Sequence, residues 1–138
     1  MRVVQALPPL FEEIDAAFNV RGKRVIFAWG DKIFNPAGIL VTPELLAHEG
    51  VHGERQGDDV EGWWRRYIAE PEFRLLEEIP AHVEEFKSLC AQHAHRWHSK
   101  RAMRRTFAAA IARKLSSPLY GGLISFAQAK EALMAGAV

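Results

Sequence analysis

From Pro71 to Trp97 the chain carries one unbroken helical signal, and any fold must accommodate it. Leu76, Ile79, Val83, Phe86, Cys90, His93 and Trp97 recur at strict three- and four-residue spacing, the signature of an amphipathic helix with one continuous buried stripe. Pro71 suits its first turn, where the missing N–H is not needed. Pro80 removes the bond to the Leu76 carbonyl and predicts a kink. With Ile79 at 0°, the stripe spans about ±60°, and Glu78 sits at about −100° beside Leu75, His82 and Leu89. Glu77 at about 160° points away, while Glu84 at about 140° and Glu85 at about −120° lie further from the stripe centre.

Shorter elements surround this helix. Leu10, Phe11, Ile14, Ala17 and Phe18 predict a helix over residues 8 to 18, entered through Pro8-Pro9. Arg24 to Trp29 is β-rich, Gly30-Asp31 is a two-residue hairpin turn, and Lys32 to Phe34 returns from it. A turn at Asn35-Pro36-Ala37-Gly38 then leads into a short strand, Ile39-Leu40-Val41. After a loop at Gly57-Asp58-Asp59, Val60 to Ala69 forms an aromatic helix whose Trp63, Trp64, Tyr67 and Ile68 belong to the core or to a cleft wall. A helix near residues 100 to 115 ends in Ser-Ser-Pro and Gly-Gly, and Ser125 with Gln128 caps a last helix. The expected fold class is α+β, predominantly helical, with a small sheet.

At 138 residues and 49% hydrophobic composition, the chain fits one domain, residues 1–138, able to bury a core without staples. It has no apolar run of membrane-spanning length and no secretory leader pattern, so cytoplasmic residence is expected. The single Cys90 reads as a small core residue.

The chemistry concentrates in His48-Glu49-Gly50-Val51-His52. On a helix, His48 and His52 share a face and can offer two nitrogens to one metal ion. Glu49 lies about 100° further round, away from the metal but within reach of a water beside it, the position of a general base. The local sequence favours a helix: Thr42 can cap it, Pro43 suits its first turn, and Glu44 complements its positive end. A stripe of Leu46, Gly50 and Gly53 on the opposite side predicts a close neighbour behind the motif, and Gly57 can end the helix.

A catalytic zinc takes three protein ligands, so a third must come from elsewhere. On the long helix, periodicity favours Glu78 over Glu77. Asp58, six residues after His52, is an alternative. His82 shares the Glu78 face and could be a ligand, a partner to one, or a group that polarises substrate. Cys90, His93, His95 and His98 do not share one face, and no paired Cys-x-x-Cys accompanies them.

Charge is distributed unevenly. Residues 1 to 85 carry 9 Lys/Arg against 16 Asp/Glu, a balance of −7, whereas residues 86 to 138 carry 9 against 1, a balance of +8. Arg96, Lys100, Arg101, Arg104 and Arg105 crowd around Trp97 and Phe107. Such a stripe can bind nucleic acid or an acidic partner, or the two halves can neutralise each other.

The segment Thr42 to His52 resembles the active-site helix of zincin metallopeptidases. Together with Tyr67 to His82, it is similar to small single-domain gluzincin-like proteins of bacteria and their phages. That resemblance implies a small sheet before the active-site helix, with an edge strand that receives an extended peptide. It also implies a third ligand, here Glu78, on the next long helix, followed by Ala81 and by His82 where an aromatic would be expected. The expected function is a Zn²⁺-dependent hydrolase of peptide bonds, with His48, His52 and Glu78 on the metal, Glu49 as general base and His82 at the catalytic site. His82, Tyr67, Tyr120 and Arg74 are candidate oxyanion donors. The alternative is a nucleic-acid or phage-associated binding module in which the metal site is vestigial and the basic C-terminal half carries function.

Overall fold

Gly30-Asp31 does turn the chain back on itself, and the hairpin it makes anchors the small sheet. The computed structural model describes residues 1–136. In chain order these form β1 (Arg2–Val4), α1 (Phe11–Phe18), β2 (Phe27–Trp29), β3 (Lys32–Phe34), α2 (Pro43–Gln56), α3 (Val60–Ala69), α4 (Pro71–His93), α5 (Lys100–Leu115) and α6 (Phe126–Gly136). Short 3₁₀ turns cover Ala94–Arg96 and Pro118–Tyr120. The fold is α+β and predominantly helical. The sheet order is β1-β3-β2, with β2 antiparallel to β3 and β1 parallel to it.

Two features of the sheet differ from expectation. β1 was not foreseen, since three residues before a Pro-Pro pair are too short to show alternation. The expected strand Ile39-Leu40-Val41 is irregular, and Leu40 is 81% exposed. The Asn35 side chain takes the place of a strand partner there, donating from Nδ2 to the Ile39 carbonyl and accepting from the Ile39 N–H. A side-chain amide that satisfies both backbone groups removes the need for a ladder.

Two apolar clusters build the core. Phe11, Ile14, Phe27, Trp63 and Trp64 join α1, the sheet and α3. Leu75, Phe86, Ala108, Ile111, Ala112, Leu115, Ala129 and Leu133 join α4, α5 and α6. Local signals set the helix ends. Gly57 closes α2 at φ 58°, a left-handed value that costs glycine little. At α6, Gln128 Oε1 accepts from the Ser125 N–H and Ser125 Oγ from the Gln128 N–H, the reciprocal cap expected of this pair. Thr42 stands at the α2 N-cap, but its hydroxyl makes no capping bond.

α4 runs on through Pro80. Its buried residues are Arg74, Leu75, Glu77, Glu78, Ala81, His82, Glu85 and Phe86, an arc centred near Glu78 and rotated about 100° from the Ile79 stripe. The apolar stripe marks only the edge of the buried surface. The middle is polar and faces α2. Behind α2, the close neighbour predicted by its glycines is the β2–β3 turn: a Cβ on Gly53 would lie 2.3 Å from the Gly30 carbonyl oxygen. Gly50 has no such neighbour within 4 Å.

Candidate metal centre

α2 and α4 bring their polar faces together over a triangle of donor atoms. His48 Nε2 and His52 Nε2 are 3.1 Å apart. Glu78 places Oε2 3.2 Å from His48 Nε2 and Oε1 3.2 Å from His52 Nε2. Ligands about 2.0 to 2.1 Å from a tetrahedral zinc stand about 3.3 Å from one another, so the three side chains already have nearly the required spacing. All three are buried, and Glu78 Oε2 has no hydrogen-bond partner. Such an orphaned carboxylate oxygen costs about 1 to 3 kcal/mol unless something satisfies it. A divalent cation held by two imidazoles and a carboxylate fits this donor set.

The surroundings hold each donor in place. The Tyr67 hydroxyl on α3 donates to Glu78 Oε1 at 2.5 Å. Glu85 places Oε1 3.5 Å from His48 Nδ1 and Oε2 3.2 Å from His82 Nδ1, with Lys114 Nζ at 3.6 Å. His48, His82 and Glu85 thereby form a second grouping able to hold a metal, overlapping the first at His48. A carboxylate on the far nitrogen of a metal-binding histidine fixes its orientation and raises its basicity. By hydrophobic periodicity alone Glu85 lies too far from the stripe centre for such a place. At 3% exposure it lies well inside the face centred on Glu78.

Electrostatics follow from burial and these contacts. Burial opposes a charge on His48, but the Glu78 carboxylate beside it, and then Glu49 and Glu85, outweigh it and raise its pKa to about 9. Burial likewise opposes the Glu78 charge, yet His52 and His48 hold its carboxyl well below the ordinary range. Glu49 is raised, chiefly by burial, against the pull of His48 and His52. Burial lowers His82, against the hydrogen bond its ring makes to the Glu85 carboxylate.

The remaining expected residues sort clearly. Glu77 is withdrawn from the cluster: its carboxylate accepts from Trp63 Nε1 at 2.6 Å and from Arg55 Nε at 2.7 Å. These two contacts pin α4 to α2 and α3. Asp58 is exposed in the loop after α2 and belongs to neither metal grouping. Arg74 spends its guanidinium on the carbonyls of Tyr67, Ile68 and Leu119. His93 packs on Phe107, with ring centres 5.6 Å apart, while His95 and His98 are exposed.

A cavity of about 410 Å³ opens onto the cluster. Glu49, His82 and Tyr120 line it, with Phe18 and Val25 on one wall and Leu119 on another. β2 borders it as an edge strand. The outward groups of its C-terminal half are already taken, since the Ala28 carbonyl accepts from Gln56 Nε2 and Trp64 Nε1 and the Gly30 N–H donates to Gln56 Oε1. Compared with family models, with curated proteins and with solved structures, the chain matches none.

Proposed function

We propose that this protein is a zinc-dependent hydrolase of the zincin-like, gluzincin type that cleaves peptide bonds. The observation that carries the proposal is the buried triangle of His48 Nε2, His52 Nε2 and the Glu78 carboxylate, with Glu49 beside it on the cavity wall. Zn²⁺, when bound by His48, His52 and Glu78, supplies Lewis acidity toward a carbonyl and toward water.

The chain's own groups supply the rest. Glu49, raised by burial, takes a proton from the attacking water and returns it to the leaving nitrogen. Four side chains were candidates for stabilising the oxyanion, and their contacts separate them. Arg74 is committed to backbone carbonyls and Tyr67 to Glu78. His82 is hydrogen-bonded through Nδ1 to Glu85 at 3.2 Å, with Nε2 3.4 Å from Glu78, and acts by positioning Glu85. Tyr120 lines the cavity with a hydroxyl that makes no hydrogen bond among the described residues, and it is the oxyanion donor. Burial and the carboxylates of Glu78, Glu85 and Glu49 raise its pKa, which keeps it a donor. A peptide enters along Val25 and Ile26, beside the cavity, because the edge beyond them is blocked at Ala28.

The test uses purified protein loaded with zinc. Wild type carries about one zinc per chain, Glu78→Ala loses it, and Glu49→Gln keeps it while hydrolysis of a mixed peptide library stops. Stoichiometric zinc in the Glu78 variant would sink the ligand assignment, and undiminished hydrolysis by Glu49→Gln would sink the mechanism.

A further inference from the structure

The basic stripe of the C-terminal half plays no part in the metal centre, and the fold does not neutralise it. Arg21, Arg55, Arg65, Arg66, Lys87 and Lys114 each pair with a carboxylate. Of these contacts only Lys87 with Glu84 and Lys114 with Glu85 join the basic C-terminal half to the acidic half before it. Arg96, Arg101, Arg104 and Arg105 have no carboxylate within ion-pair distance among the described residues, and no acid occurs between Glu85 and Glu131. Arg96, Arg101 and Arg105 are exposed and Arg104 is half-buried. Lys100 is set apart, because its ammonium caps the carbonyls of Ala94 and Trp97.

We propose that Arg96, Arg101, Arg104 and Arg105 form a docking surface for the phosphate backbone of a nucleic-acid duplex. Four unpaired guanidiniums with no acid among them create a strongly positive potential, and each presents a planar fork matched to phosphate oxygens. Two further observations select the partner. A protein interface needs apolar anchors at its centre, yet no large exposed hydrophobic residue lies between Leu76 and Leu119. Single-strand binding needs aromatic faces free for base stacking. Here Trp97 packs edge-on against Phe107, with ring centres 6.0 Å apart, and Phe107 packs on His93. What is left is charge without anchors or platforms, which suits contacts to a backbone rather than to bases.

Fluorescence anisotropy of the full chain with a labelled 20-base-pair DNA of arbitrary sequence tests the surface. The expected slope of log affinity against log salt is about −3 to −4, as four phosphate contacts require. Replacing Arg101 and Arg105 together by alanine brings that slope toward zero by about 2 and lowers affinity at least tenfold in low salt. Both side chains are exposed, so thermal unfolding and zinc content stay unchanged and a folding failure is visible as such. Three results overturn the proposal: no binding in low salt, a slope the double variant does not alter, or tighter binding of poly-glutamate or single-stranded oligothymidine than of the duplex.

Discussion

Tyr67 on α3 donates its hydroxyl to Glu78 on α4 at 2.5 Å, so the carboxylate that closes the metal triangle is held by a third helix. A charge-assisted bond of this kind fixes which way Glu78 presents its oxygens. Tyr67→Phe removes the bond while keeping the ring, which stacks on Trp63 with centres 5.0 Å apart. The expected result is a ten- to hundredfold loss of zinc affinity with little change in unfolding temperature, measured by competition with a chelator of known affinity. Unaltered affinity would show that Glu78 needs no such support.

The polar centre of α4 also explains what could and could not be read from the chain. Helix positions, the hairpin at Gly30-Asp31 and the reciprocal cap of Ser125 and Gln128 follow from local rules of period and capping. The residues that surround the ligands do not. Glu85 and Tyr67 are built into the site by the packing of α3 and α4 against α2, and hydrophobic periodicity is blind to a buried face whose centre is Glu78, His82 and Glu85. The same blindness hid Glu77, which is as buried as Glu78 but is consumed by Trp63 and Arg55. Ile39 to Val41 failed as a strand because one asparagine side chain satisfied the backbone first.

Two glycines of α2 separate packing from helix propensity. A Cβ at Gly53 would meet the Gly30 carbonyl, a backbone atom that cannot yield without moving the β2–β3 turn. Gly53→Ala is expected to destabilise by about 1 to 3 kcal/mol, the usual cost of overpacking. Gly50 faces open space, so Gly50→Ala is expected to stabilise by up to about 1 kcal/mol through helix propensity alone. Urea unfolding of the two variants checks both signs, and equal shifts would contradict the packing.

His48 and Glu78 contribute opposite limbs to the pH dependence of the metal-free protein. His48 is raised from 6.5 to about 9, so its contribution is complete below about pH 6.5 and is lost as pH rises through about 9. Glu78 is depressed below its ordinary 4.5, so its contribution is present above about pH 4.5 and is lost as pH falls through its folded value. The contributions of His48 and Glu78 therefore coincide between these limits, and that of His48, about 3 kcal/mol, is lost well above pH 9. Zinc competes with the His48 proton, so the zinc-loaded protein resists that alkaline loss. Urea midpoints at pH 6 and pH 9.5, with and without chelator, distinguish the two. Parallel pH profiles would mean that His48 does not bind the metal.

Tyr120 and Tyr67 can be told apart by which property each controls. Tyr67 touches the ligand carboxylate, whereas Tyr120 lines the cavity from the 3₁₀ turn Pro118–Tyr120, whose Leu119 carbonyl is clamped by Arg74 Nη1 at 2.6 Å. A donor aimed at the charge that develops during attack contributes to kcat and little to ground-state binding. Tyr120→Phe is expected to lower kcat by about a hundred- to a thousandfold, with zinc affinity and KM close to wild type. Steady-state kinetics and zinc titration of the same preparation give the answer. A change in zinc affinity with kcat intact would instead place Tyr120 with the supports of the metal site and leave the oxyanion to another group.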